Sequence, residues 1–575
     1  MKSLFTWFVA HPHLYHPLAL ATLLAFVWLA IHTAKTETPT RKTEWWFLGL
    51  AGATLLIWRW PVLLWPQPMN IDEGHWAACA LKAAWDLAPW RGFDGTTSGP
   101  LNSDVLALPA LFGGQITFFT TRMIGFVLIL GALYGFYFAA KWTLGAASAR
   151  IALVGPTLFL ALTWEWDFLH YSSEEFPIFL TTIGIAAGTY LTVAPTRKKA
   201  ARLCACLVGG LFLGSAGFAK LQALPIAAIG ALFIAAMIWH SAESPSQRRR
   251  EIATLAISLS LAPGLITVSL LSTGHLNDAM ISYLHSAVVH VATGTTVGLK
   301  FFFRAAETYA AFAVGSLLLV LVGAIALAGR WRFTRRPTVI SCWALGFFLV
   351  SLFVIVAPRH AYPHYLLFSV LPLSYAVALV LAFTRQAGLW AGKETWLSAV
   401  VVGLFLVPAL GFSMTHPSPY FGETLHLFLR AHGGHPPFLP FQHTSPQVNA
   451  IRRHAPPGTR LSIWGWMPHY YVHTQTVMAT RDAHTKTQQT PGPYQEYFQQ
   501  RYLFDLRSNP PAVFVDAVAP NAFGYNDRAT EGIESFPALA AFIEENYLLK
   551  EEVEGVRVYV RANADLPPER ENSRG

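Results

Sequence analysis

Two acidic clusters and a few basic residues stand out in a chain that is otherwise poor in charge. The first cluster contains Asp72-Glu73, followed directly by Gly74, His75 and Trp76, with Asp86, Asp94 and Asp104 further on. The second reads Trp164-Glu165-Trp166-Asp167-Phe168-Leu169-His170-Tyr171-Ser172-Ser173-Glu174-Glu175. Each lies where an apolar run ends, so each can face a cavity at a membrane surface. A carboxylate there can act as a general base if it reaches the proton it removes. Glu165, Asp86 and Asp104 read more simply as solvated loop charges. Lys220 sits in Gly217-Phe218-Ala219-Lys220-Leu221-Gln222, among apolar neighbours where a lysine is expensive unless it meets an anion. Arg359, His360, His364 and Tyr365 crowd a short loop, and together with Lys220 they offer a point charge, a fork and hydrogen-bond donors to a phosphate. For Arg359, snorkelling to lipid headgroups is an even alternative. The segment Arg91–Leu101, which holds Asp94 and Ser98, is rich in glycine and either allows close backbone approach to a ligand or is an ordinary turn. Trp464–Tyr471, with Trp466 at its centre, can stack on a sugar face or form the domain's packing surface against the membrane part. His275, His285 and His290 are spaced too widely for a compact metal site and read as structural.

The elements that must position these residues are membrane spans. The chain has 575 residues, 53% hydrophobic and 13% charged, and its mean hydropathy is +0.39. A soluble domain carries about 25% charged residues, so that class is excluded. The net charge of +9 comes from basic residues in short loops between apolar runs, such as Lys141 with Arg150 and Arg248 to Arg250. That pattern marks a cytoplasmic face and argues against nucleic acid. Parity across these marks gives roughly twelve transmembrane helices, near 17–33, 46–66, 123–140, 151–164, 176–194, 203–239 (a hairpin), 252–272, 306–328, 338–357, 362–384 and 396–412. The outer loops are then 67–122, 165–175 and 273–305, with 104–121 expected as a helix lying at the interface and Cys79 in a polar loop. Residues 1–412 form the membrane domain. Residues 413–575 form a small extracytoplasmic α/β domain, with strands at Arg460–Trp464, Ala512–Asp516 and Val556–Val560, a helix near Ala538–Tyr547, and a Pro- and His-rich linker over Met414–Pro446.

The order Asp72-Glu73-Gly74, Ser98-Gly99-Pro100-Leu101, Arg122, Glu174, Lys220-Leu221-Gln222 and His364-Tyr365-Leu366-Leu367 before Pro372 resembles GT-C membrane glycosyltransferases. That group includes protein O-mannosyltransferases, aminoarabinose transferases and rhizobial galacturonosyltransferases, and the likeness covers about residues 45–412. The resemblance implies a bacterial cytoplasmic-membrane enzyme moving a sugar from a polyprenyl-phosphate donor to an envelope lipid, glycan or protein, with inversion. It implies Asp72 as base, with Glu73 or Glu174 orienting the acceptor or binding a metal. Lys220, Arg359, His364 and Tyr365 would hold the donor phosphate, and Asp94, Ser98, Gln222 and Trp466 would contact substrate. Metal use varies in the group, so a divalent cation stays open. The rival is a transporter or flippase for a lipid-linked sugar. Such proteins usually show inverted repeats and broken midplane helices, whereas here the polar residues gather at one face and no repeat is found.

Overall fold

Lipid offers no partner to a backbone N–H or C=O, so a chain this apolar has to satisfy those groups within helices. A computed structural model describes residues 12–193, 198–304, 306–328, 335–415 and 445–562. Arg197, Arg330, Arg332 and nearly all of the expected linker 414–446 lie outside them. Among the described residues, nine helices are long and apolar enough to cross a membrane: Pro17–Lys35, Phe118–Leu144, Lys199–Ala219, Leu221–Ser241, Pro245–Thr273, Glu307–Leu327, Val339–Val356, Pro363–Gln386 and Glu394–Gly411. The three remaining expected spans are also helical, at Arg41–Leu64, Ala146–Leu162 and Glu175–Tyr190. They are shorter or more polar than the nine, so length and composition support nine spans where the sequence led us to expect twelve. The interface helix expected over 104–121 is replaced by two short helices, Leu101–Leu106 and Leu108–Leu111, and a loop. Pro109 and the glycine pair 113–114, with Gly113 at φ 71°, cut it short. Cys79 lies buried inside the helix Ile71–Ala83 rather than in a loop.

The C-terminal residues build a five-stranded sheet from β1 (Arg460–Trp464), β2 (Val477–Met478), β3 (Val513–Asp516), β4 (Tyr547–Val553) and β5 (Val556–Arg561). Its order is β2-β1-β3-β5-β4. The first three strands are parallel and the β4–β5 hairpin runs antiparallel to β3. Strand β3 is buried along its whole length, as a central strand covered on both faces should be.

Three buried guanidinium groups organise the end of the bundle where this sheet docks. Arg122, at the start of Phe118–Leu144, uses all five of its N–H donors. Nε and Nη2 grip Glu73 at 2.7 and 2.6 Å, and the other bonds reach the carbonyls of Val62, Trp65 and Gln67. The helix Arg41–Leu64 has just ended there, so its last carbonyls lack intrahelical partners, and Arg122 supplies them. Arg501, from the tail helix Gln495–Ser508, holds Asp94 at 2.7 Å, Asp482 at 2.6 Å and the Ser282 hydroxyl at 2.8 Å. It thereby joins the first loop, the loop 273–305 and the tail. Arg481 repeats the pattern with Asp505, Asp278 and the Trp90 carbonyl.

Breaking such a pair strands a buried charge. Arg122→Met should lower stability by about 3–5 kcal/mol, read as thermal unfolding of the detergent-purified protein. Arg122→Met with Glu73→Met should recover part of the loss, because no orphaned carboxylate then remains.

Candidate functional site

The helix Ile71–Ala83 begins the site. Asn70 caps it by accepting the Asp72 N–H at 3.0 Å. Asp72 therefore lies in the first turn, where the helix dipole favours negative charge. Consecutive helical residues are about 100° apart, so Asp72 and Glu73 cannot face the same way. Glu73 turns inward to Arg122 and also accepts the Met69 N–H at 3.2 Å. Asp72 instead turns toward a cavity of about 440 Å³, which it lines together with His75 and Trp76, three and four residues on. The same helix meets the tail closely: a Cβ at Gly74 would come within 2.9 Å of the His469 backbone nitrogen.

The membrane-domain wall of the cavity carries Lys220, His364, Tyr365, Tyr362 and Asp167, and the tail wall carries Trp466, His484, Lys486 and Phe523. Lys220 donates to the Ser173 hydroxyl at 2.7 Å and to the Glu174 carboxylate, and its ammonium lies 5.0 Å from the Tyr365 ring centroid. Glu174, fully buried, thus sits beneath the cation. Lys220 reaches the cavity because the helix Lys199–Ala219 ends just before it. A Cβ at Gly99 would collide with the Phe218 carbonyl, so the first loop packs directly on that helix end. A ladder of rings leads into the wall: His290 stacks on His360 at 3.8 Å, His360 on Tyr362 at 5.4 Å, and Tyr362 on His364 at 5.5 Å.

Asp167, His170 and His364 bring one ligand atom each to within 4.8 Å of one another. His364 Nδ1 is 3.2 Å from Asp167 Oδ1, and Asn70 donates to the same oxygen at 3.2 Å. His170 Nδ1 faces the Tyr171 carbonyl at 2.7 Å, while its Nε2 lies 3.7 Å from Asp167 Oδ1. Burial works against the His170 charge, but Asp167 and Glu73 raise the ring to about 9, so without a cation its Nε2 keeps a proton facing Asp167, and a metal bound there would displace that proton. A carboxylate with two imidazoles suits Zn²⁺ in type and number.

Of the residues singled out in the sequence, Asp72, Lys220, His364, Tyr365 and Trp466 share the cavity, and Glu174 underlies it. Five others are elsewhere. Glu73 is committed to Arg122, which makes it a strut rather than a base. Arg359 is exposed, has φ 60° and is not among the cavity-lining residues. Asp94 is buried against Arg501, Ser98 is buried outside the cavity lining, and Gln222 donates to the Val354 carbonyl at 2.5 Å. His290, read as structural, lines the cavity, and His285 stacks on Tyr494. Asp167, His170, His75, His484 and Lys486 escaped attention. Asp167 and His170 stood in the second acidic run, and His75 lies one turn from Asp72. Nothing local marked His484 or Lys486, which are more than four hundred residues from Asp72.

The helical bundle, the short helix carrying an acidic residue after an early span, and the small α/β tail over the cavity define a GT-C fold. Among solved structures, the chain is similar to ArnT from Cupriavidus metallidurans bound to undecaprenyl phosphate, at 14% identity over 91% of this chain and 100% of that chain, with a TM-score of 0.55. It is similar also to the apo state of ArnT, at 14% identity over 90% and 98% of the two chains and a TM-score of 0.52. At that identity the likeness establishes the fold. No family model and no curated protein matches the sequence.

His75 is 2% exposed, and burial pushes its ring down to about 4 against the pull of Asp72 and Asp94. Burial holds His484, whose ring meets that of His75 at 4.6 Å, well below the ordinary histidine range too. The folded chain keeps His75 neutral while the unfolded chain protonates it near pH 6.5. This contribution is therefore complete above pH 6.5 and drains as pH falls toward 4. At pH 5 about 2 kcal/mol should be gone. Thermal unfolding at pH 7 and pH 5 should show the drop, and His75→Gln should shrink it.

Proposed function

We propose that the protein is a membrane glycosyltransferase that moves a sugar from a polyprenyl-phosphate donor to an envelope acceptor on the extracytoplasmic side, with Asp72 as general base. The observation that carries this reading is one cavity holding a helix-N-terminal carboxylate on one side and Lys220 with His364 on the other. Lys220 and His364 receive the donor phosphate, and the sugar fills the cavity with its anomeric carbon toward Asp72. The acceptor hydroxyl gives its proton to the Asp72 carboxylate as its oxygen bonds to that carbon. The bond between the anomeric carbon and the phosphate oxygen breaks in the same displacement, and the electron pair leaves with the lipid phosphate. Lys220 and His364 stabilise the charge that grows there, which is where preorganised cations lower a barrier most. Glu174 and Ser173 fix the lysine, and Tyr365 shields it from water. An apolar cleft among Phe136, Ile178, Phe233, Trp343 and Phe368 lies in the helical bundle and is of a character to take isoprenoid units.

Asp167, His170 and His364 would hold a divalent cation at the phosphate end. Bound there, a metal would add Lewis-acid stabilisation of phosphate charge. In this reading Asp167 keeps the two imidazoles aligned, and His364 borders both the cluster and the cavity.

The first test is mass spectrometry of envelope glycans and lipid-linked sugars from a deletion strain, complemented with wild type or Asp72→Asn at matched membrane levels. One sugar should vanish on deletion, return with wild type, and stay depleted with Asp72→Asn, since loss of a general base costs about 10²–10⁴-fold. Full complementation by Asp72→Asn would sink this mechanism, and an unchanged profile on deletion would sink the transferase reading. For the metal, the purified protein should bind about one Zn²⁺ by elemental analysis. His170→Ala should lose it; retention of stoichiometric zinc by that variant would rule out the proposed ligand set.

A further inference from the structure

Lys486 reaches the cavity from the tail, and its surroundings differ from those of the other cations at this end of the molecule. Arg122, Lys220, Arg481 and Arg501 each hold a buried carboxylate, and Lys82 donates to the Met478 carbonyl at 2.8 Å. Among the described residues, the Lys486 ammonium has neither a carboxylate at ion-pair distance nor a hydrogen bond. Its close partner is the Trp466 ring, whose centroid lies 4.8 Å away. Burial works against its charge and Asp72, on the same cavity, partly offsets this. A cation taken out of water without an anion is costly, and a ring face returns only part of that cost. The Trp466 indole N–H is likewise buried with no acceptor among the described residues. The Lys486 ammonium therefore stands without an anion beside open space. His484, next to it, is held neutral by burial, so Lys486 supplies the formal charge of this wall.

We infer that Lys486 forms an anion subsite, distinct from the lipid-phosphate residues Lys220 and His364, which binds a carboxylate or phosphate carried by the acceptor. This rests on the transferase reading and narrows its acceptor to an acidic molecule. The assignment to the acceptor follows from the walls. Lys220 and His364 belong to the membrane domain, from which a lipid-borne phosphate arrives. Lys486 belongs to the tail, whose rim over Thr490-Pro491-Gly492-Pro493-Tyr494 also lines the cavity. The prolines preset that rim's backbone, so the subsite needs little ordering when ligand enters. The ammonium can make charge-assisted hydrogen bonds to the oxygens of a carboxylate or phosphate, which a neutral sugar does not offer.

The test uses the full chain in nanodiscs, with glucuronate, glucose 6-phosphate and glucose as soluble probes and undecaprenyl phosphate as the lipid probe. Wild type should bind one or both anionic probes at least about tenfold more tightly than glucose. Lys486→Gln should abolish that preference and bind undecaprenyl phosphate as wild type does. Lys486→Arg should retain both, which guards against a mere folding defect. Whichever anionic probe is preferred names the acceptor's acid group. The inference is overturned by a wild type without preference, by a preference that survives Lys486→Gln, or by loss of undecaprenyl phosphate binding in that variant, which would make the anion the donor's own. Because these are binding measurements, they separate from the glycan profile. A changed profile without anion preference rejects the subsite alone, whereas anion preference with an unchanged profile rejects the transferase reading.

Discussion

A guanidinium cannot be deprotonated at any ordinary pH, so wherever Arg122 is buried its five donors must all find acceptors. That requirement shapes the end of the bundle. It draws in the last carbonyls of one helix, the first-turn carboxylate of the next and the start of a third. Because Glu73 is claimed from within, its neighbour Asp72 is left on the face that looks into open space. Without the pair, two adjacent carboxylates at a helix start would compete for the same surroundings, and the like charges would raise one another's proton affinity. The site therefore depends on an interaction that takes no part in its chemistry.

The tail is fastened by the same physics. Arg501 and Arg481 bridge three segments distant in sequence, each through carboxylates whose charge would be unsupportable alone. Such pairs add little net stability compared with apolar packing, but they fix register, since a shift of one residue leaves charges stranded. The consequence is a cavity walled by two separately built units, one helical and lipid-facing, the other a sheet with its helices. Trp464 and Trp466 show how finely that boundary is drawn. Strand β1 buries the first completely in the sheet's core, stacked with Phe536, and two residues later the second lines the cavity.

Much of this was legible in the sequence. Nine of the twelve expected spans are helices long and apolar enough to cross a membrane, and β1, β3, β5 and the last helix lie within a residue or two of their expected places. The strand β4 was hidden because its exposed, charged face over Lys550–Glu552 resembles the end of the preceding helix. β2 was too short, at two residues, to give any alternation. In the site, residue type singled out Asp72 and Lys220 because a polar group near lipid needs a reason. It could not separate Asp72 from Glu73, since adjacency in sequence does not reveal which carboxylate meets an arginine 49 residues away. Asp94 looked like a ligand contact for the same reason, its partner Arg501 being supplied by the far end of the chain. Lys486 was invisible because its meaning lies in what it lacks, and only the assembled cavity reveals that.

Lys220 already has a companion in Glu174. An anion arriving there does not meet a free charge; it enters an exchange, and the affinity gained is the difference between two ion pairs instead of the whole of one. The carboxylate acts as a built-in competitor, ready to reclaim the ammonium whenever the visitor's charge falls. Such a cation grips most firmly at the moment charge is greatest and loosens as it spreads into solvent or lipid. In the proposed transfer, where a spent lipid carrier must leave through the membrane, that trade would set the residence time of the product, and with it the pace of the next turnover.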